Sequence, residues 1–343
     1  MKKIILINLL RIARFFGIFS LARLLTSQHL RILCYHGSAL DDENEFRPGL
    51  FMTRNTFERR MAYLEQAEYP VLELSDALHR HREGRLPKSA VVITIDDGWY
   101  GTYKNQLPIL MKYGFPATLY IASYYLDNQT PVFNVAVSYI LWKSGTTSLP
   151  ASAIDDLLGE PRHRDETLDV EEISSRINRF ADSLDGAHAR QALLRKFGTL
   201  VGYDSKLFEE HRLISFMNAS EARHAASNGI DIQLHSHRHR FPDIDFELAR
   251  TEIADNRRSL DGLGSSALQH FCYPSGIYSD KSIAYLRELE IESATTTNPG
   301  FNRQTSSHFE LTRFLDSELI SDIEFEAELS GILELIRLTG FRI

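Results

Sequence analysis

The sequence predicts an α/β chain, a distorted (β/α) barrel, and three observations carry that expectation. Short apolar, β-branched runs recur along the chain, helical patterns separate them, and 343 residues suffice to bury one large core. Eight runs read as buried strands: Arg31–Tyr35, Val71–Leu74, Ala90–Ile95, Ala117–Ala122, Ile230–Leu234, Phe271–Tyr273, Ser293–Thr297 and Leu311–Phe314. Between them, Phe57, Met61 and Leu64 share one helical face. Asn218 with Glu221 three residues on makes a capping box, and Gly229 closes that helix. Such alternation implies a largely parallel sheet, and eight strands fit a barrel better than an open sheet. With 43% hydrophobic and 24% charged residues, the composition is that of a globular chain and excludes disorder.

Two stretches depart from this rhythm. From about 131 to 216 no convincing strand is read, while Ile173, Ile177, Phe180 and Leu184 mark an amphipathic helix. This reads as a helical insertion in a barrel domain spanning 29–343. Residues 1–28 read as a basic amphipathic N-terminal helix, with Phe15, Phe16, Phe19 and Leu24 available for an apolar face. Arg11 and Arg14 interrupt any apolar run near the roughly 20 residues a spanning helix needs, and no small-residue cleavage site follows. The helix is expected either to make a peripheral membrane contact or to pack on the domain. The corresponding location is cytoplasmic, at the inner face of a membrane. The net charge of −8 argues against a nucleic-acid partner, and Cys34 and Cys272 are too few for a disulfide framework.

The chemistry concentrates in two segments. Asp96 and Asp97 follow Val91–Ile95 and so emerge at a strand's C-terminal end, where parallel α/β folds build their sites. Adjacent residues on extended backbone point apart, and Gly98 permits the turn that brings both carboxylates toward one centre. His235 and His239 end another apolar strand at the spacing of a chelating pair, while His237 between them points elsewhere. Two imidazoles and one carboxylate suit zinc, cobalt, nickel or iron, leaving one carboxylate over as a base. Each segment has a plain alternative: an Asp-Asp-Gly turn capping a helix, and a surface histidine pair.

These residues, in this order, resemble the polysaccharide deacetylase family, whose catalytic part is the NodB-homology domain, a distorted (β/α) barrel. Thr94-Ile95-Asp96-Asp97-Gly98 matches T-F-D-D-G with Ile95 for Phe, and His235–His239 matches H-S/T-x-x-H. Phe271-Cys272-Tyr273-Pro274-Ser275-Gly276 is similar to R-x-P-x-G. The resemblance spans about 29–316 outside the insertion. It implies a divalent metal, zinc foremost, on Asp97, His235 and His239, with Asp96 as general base. It implies further that the Ser275 backbone N–H stabilises the oxyanion, with Tyr273 beside it.

The chain departs from that pattern in lacking the third motif's arginine, where Cys272 stands, a following Asp-Trp pair and a C-terminal Leu-x-His. A branch similar to the exopolysaccharide glucosamine deacetylases carries its acid histidine in an N-terminal Tyr-His motif, which points to His36. Arg313 is either the replacement partner of the base or a surface ion pair. Trp99 either stacks on a sugar face or packs in the core. The implied activity is metal-dependent removal of N-acetyl groups from amino sugars of a polysaccharide or lipid-linked glycan precursor. The alternatives are a deformylase or O-acetyl esterase on the same scaffold, and a catalytically silent carbohydrate-binding protein.

Overall fold

The computed structural model describes residues 2–161, 166–242, 244–264 and 267–340. Seven parallel strands form the central sheet: β1 (Arg31–Tyr35), β2 (Val91–Ile95), β3 (Ala117–Ile121), β4 (Ile230–Leu234), β5 (His270–Cys272), β6 (Ser293–Thr295) and β7 (Phe314–Leu315). Strands β1 to β6 are neighbours in chain order, and β7 pairs with the free side of β1, Leu33 opposite Phe314. The segment leading into β7 reaches the other edge as well. Leu311 bridges Thr295 in parallel, with Leu311 N–H donating to Ala294 O at 3.0 Å and Thr296 N–H to Leu311 O at 2.9 Å. Residues 311–315 are thus the seam that closes the barrel, and closure leaves no unpaired edge.

Side chains alternate across this wall. Leu33, Ile93, Leu119, Ile232 and Phe271 face outward into the largest apolar cluster, beneath the surrounding helices. Ile32, Val92, Tyr120 and Cys272 face inward with Leu74, Ala77 and Leu78. That second cluster explains the one expected strand that is absent. Val71–Leu74 is not a strand: Val71 makes a single bridge to Val91, and Leu74 opens the helix Leu74–Arg82. Its apolar residues plug the barrel's N-terminal mouth, which requires burial without strand pairing. The barrel therefore has seven strands, not eight.

His270 ties this plug in place. Its Nε2 lies 2.8 Å from Ser75 Oγ of the plug helix, and its Nδ1 lies 2.8 Å from Ser293 Oγ of β6. The ring is 1% exposed.

After β3, residues from Val132 to Phe216 share a second apolar cluster with Phe51, Trp99 and Ala122. The expectation of no strand there is corrected: Ser148–Pro150 and Thr167–Asp169 form a short antiparallel pair. Pro150 and the brevity of both segments hide the pair from an apolar-period reading. At the N-terminus, α1 (Lys2–Phe15) and α2 (Ile18–Leu25) replace the single helix expected for 1–28, meeting at 82°. They pack through Leu10 and Phe19 on Ile323, Ala327 and Leu333 of α4 (Asp322–Ser330) and α5 (Ile332–Leu338). Phe19 is buried, whereas Phe15, Phe16 and Leu24 face outward.

Burial, reinforced by His308 and Arg82, pushes His270 down to about 4. The unfolded chain therefore binds a proton that the folded chain refuses between about pH 6.5 and 4. Stability should fall by up to about 3 kcal/mol as pH drops through that window, from a shift worth about 1.4 kcal/mol per unit. Urea denaturation at stepped pH checks this, and His270→Asn should flatten the slope while lowering stability at pH 7.

Candidate active site and metal centre

The C-terminal ends of β2 and β4 meet at the mouth opposite the plug. Asp96 N–H donates to Tyr35 O at 2.9 Å, continuing the sheet one residue beyond β2. Asp97 then turns to φ +75° and Gly98 to φ +99°. That reversal gives the adjacent carboxylates different partners. The sequence predicts that Gly98 turns both toward one centre, and what they share is His235, a nitrogen of which lies within 4.8 Å of an oxygen of each. Holding a non-glycine residue in the left-handed region costs about 1–3 kcal/mol, a strain that surrounding contacts must hold in place.

Asp97 faces the histidines. Its Oδ1 lies 3.3 Å from His235 Nε2 and 3.3 Å from His239 Nε2. One ligand atom from each residue falls within 4.8 Å of the others. The remaining atoms are already engaged: Trp99 Nε1–H donates to Asp97 Oδ2 at 2.7 Å, and His235 Nδ1 lies 2.8 Å from Cys272 O. The carbonyl contact fixes the Nδ1–H tautomer and leaves the Nε2 lone pair aimed at the centre. Two ring nitrogens and one carboxylate oxygen converging with free lone pairs fit a divalent cation with open positions. Burial opposes the charge on Asp97, but its contacts with the His235 and His239 imidazoles outweigh it and hold the carboxyl well below the usual range.

Asp96 faces the other way, into the barrel. Arg313 grips it in a fork, Nη1 to Oδ1 and Nη2 to Oδ2, both at 2.8 Å. The guanidinium is fully buried, and its Nε donates to Thr296 O at 2.8 Å. Arg313 therefore takes the first of its two readings, the partner of the carboxylate, and is not a surface ion pair. Burial pushes Asp96 up, yet the Arg313 charge and hydrogen bonds outweigh it and keep the carboxylate ionised. Cys34 and Cys272 also aim their thiols at Oδ2, at 3.5 and 3.3 Å. His36, one residue past β1, brings Nε2 to 3.9 Å from the same oxygen. Its carbonyl accepts from Thr102 Oγ1 at 3.3 Å, and the neighbouring Gly101 packs so tightly on Ser38 that a Cβ there would meet the Ser38 carbonyl oxygen.

Three expected substrate contacts sit differently from one another. Ser275 is exposed, at φ +57° in the tight turn after β5. Tyr273 and Trp99 are buried, so neither offers a ring face to a sugar. Trp99 packs edge-on against Phe51 and Phe216 and supports Asp97 from behind. The core alternative is the correct one for Trp99. Its indole N–H found a partner two residues away, and the insertion covered its ring. His237 points away as expected, its Nδ1 2.9 Å from Ser123 Oγ.

Sequence reasoning missed Asn256. It lies on α3 (Phe246–Leu260), fully buried, and accepts from His235 N–H at 3.0 Å. Its amide donates to Ile121 O at 3.0 Å and Ser123 Oγ at 2.8 Å. One side chain thereby fastens the ends of β3 and β4 at the point where the histidine loop begins. The only sequence signal is a polar residue at the helical spacing of Ala249, Ile253 and Leu260, on a face that also buries Glu252.

The profile of the family described as Polysaccharide deacetylase matches residues 83–187 and 203–294. The chain belongs to that family. Among known relatives it is 34% identical over 70 residues to the poly-beta-1,6-N-acetyl-D-glucosamine N-deacetylase of Staphylococcus aureus strain NCTC 8325 / PS 47, a stretch covering 20% of this chain. The match spans about a quarter of that relative's length, 24%. Two solved structures share the fold across nearly their whole length. The Streptococcus pyogenes deacetylase PplD in complex with acetate superposes with a TM-score of 0.56 at 16% identity, covering 90% of this chain and 98% of that one. IcaB from Ammonifex degensii gives 0.54 at 14% identity, covering 88% and 96%. Family membership and the shared fold agree with the barrel read from strand spacing.

Removing one partner of a buried ion pair leaves the other charge stranded. Arg313→Met should therefore destabilise the fold by about 3–5 kcal/mol in urea denaturation. Adding Asp96→Asn to it should recover a large part of that loss. Asn256→Leu should lower the denaturation midpoint and weaken retention of a bound divalent ion at least about tenfold on dialysis against a chelator, the scale of losses around ligand-orienting groups.

Proposed function

We propose that this protein is a hydrolase that removes N-acetyl groups from the amino sugars of a polysaccharide, with a divalent metal held by Asp97, His235 and His239. The observation that carries the reading is the division of labour between adjacent carboxylates. Asp97 is turned to the two imidazoles, while Asp96 is held ionised by Arg313 within 3.9 Å of His36. Pure sugar binding needs no buried arginine to keep a second carboxylate charged. The relative named a poly-beta-1,6-N-acetyl-D-glucosamine N-deacetylase supports a polymer of N-acetylglucosamine as the substrate class.

A divalent ion at this centre, zinc foremost, supplies Lewis-acid polarisation of the acyl oxygen and acidifies the attacking water. The protein's own groups do the rest. Asp96 accepts the water proton as the water oxygen bonds to the acyl carbon, and Arg313 keeps that acceptor in its charged form and fixed in direction. The Ser275 backbone N–H donates to the developing oxyanion. His36 gives a proton to the amine nitrogen as the C–N bond breaks, which releases acetate and the free amino sugar. Trp99 and Cys272 O hold Asp97 and His235 in place and touch no substrate.

Elemental analysis of the purified protein should find one divalent metal per chain, and acetate should be released from N-acetylglucosamine oligomers. Asp96→Asn and His36→Ala should each lower turnover by about a hundredfold or more with metal content unchanged. Formate in place of acetate would make it a deformylase, and cleavage confined to ester-linked acetyl an esterase. Absence of both metal and acetate release would overturn the proposal.

A further inference from the structure

The two N-terminal helices pack on the domain through one face and leave another uncovered. The inner face is already used, since Leu10 and Phe19 are buried against α4 and α5. The outer face is apolar and uncovered: Ile5, Leu9, Ile12 and Leu21 are each more than half exposed, and Phe15 and Phe16 at the bend are 85% and 72% exposed. Positions 5, 9, 12 and 16 follow the helical repeat, so this is one continuous stripe. Phe15 and Phe16 meet edge to face at 5.3 Å, a paired aromatic apex where α1 gives way to α2.

Charge decides what covers this stripe. The first 30 residues contain Lys2, Lys3, Arg11, Arg14 and Arg23 and no acidic residue, in a chain whose net charge is −8. Lys3 and Arg14 pair with Glu324 and Glu326, which cancels the nearest acidic groups of the body. Arg11 is exposed beside the stripe. A second copy docked face to face would bring two like-charged platforms together, whereas an anionic surface is complementary to the first. Helices of 14 and 8 residues are each shorter than the roughly 20 residues a span requires, and their 82° angle rules out one straight crossing. Both can lie in a plane, with apolar side chains reaching about 5–10 Å into the headgroup boundary.

We infer that α1 and α2 form a monotopic platform that seats the protein on an anionic lipid bilayer through the Ile5–Leu9–Ile12–Phe16 stripe and the aromatic apex. Lys3 Nζ also donates to Leu319 O at 2.5 Å, in the loop just after β7. The platform therefore borders the seam strand that leads from Arg313, and membrane seating restricts how the barrel mouth meets a surface-borne polymer.

Flotation of the full chain with vesicles tests this without reference to catalysis. Vesicles of phosphatidylglycerol and phosphatidylethanolamine should carry the protein at least about tenfold better than phosphatidylcholine, an advantage lost in high salt. The exposed triple variant Ile12→Ser, Phe15→Ser, Phe16→Ser should lose about tenfold in binding while keeping its thermal transition. Failure of the wild type to float, equal flotation with both lipids, or equal flotation of the variant would each overturn the inference. So would retention after alkaline carbonate, which marks a span, or a stable dimer that the variant dissolves. None of these outcomes depends on whether the deacetylase reading holds.

Discussion

The Arg313–Asp96 pair is the constraint on which the rest of the site depends. A carboxylate wholly removed from water is disfavoured in its charged form. Here a guanidinium from the last strand answers it with two hydrogen bonds and a full opposite charge. Arg313 can do so only because residues 311–315 lie between β6 and β1, which puts its side chain inside the barrel. With Asp96 fixed inward, the turn at Asp97 has one way to face, toward the histidine loop. Two adjacent residues thus acquire separate tasks from a single backbone reversal.

Much of this was legible in the sequence, for identifiable reasons. Strand period and helix spacing are local properties, so six of the eight expected runs recur as sheet strands within a residue or two, and a seventh, 311–314, marks the closing seam. The Asp-Asp-Gly turn and the i, i+4 histidines are local too. What escaped were features fixed by distant partners. Val71–Leu74 is apolar because it plugs a barrel mouth, and no local pattern separates a plug from a strand. Trp99 reads equally as a sugar platform until the insertion is seen to lie over it. Asn256 stands 21 positions from the backbone it orients, and a single asparagine in a helix announces nothing.

One departure from the common family pattern, the missing arginine, now has a physical account. Cys272 occupies the place of the missing arginine, and its thiol lies 3.2 Å from Arg313 Nη2. The smaller side chain at β5 leaves room for a guanidinium arriving from across the barrel. Charge complementarity at Asp96 is preserved although its source has moved to another strand. The pairing of charges is what the barrel interior demands, and several positions around its wall can meet that demand.

The seam has a consequence for timing. Asp97, His235 and His239 all lie upstream of residue 240, so the cluster they form is encoded long before the chain is finished. Arg313 arrives only with the segment that closes the barrel. During synthesis from the N-terminus, the site stays incomplete until the closing segment docks, and barrel closure and pairing of the Asp96 carboxylate are one event. A chain that has not finished folding therefore lacks the guanidinium that matches this buried charge until the wall is sealed.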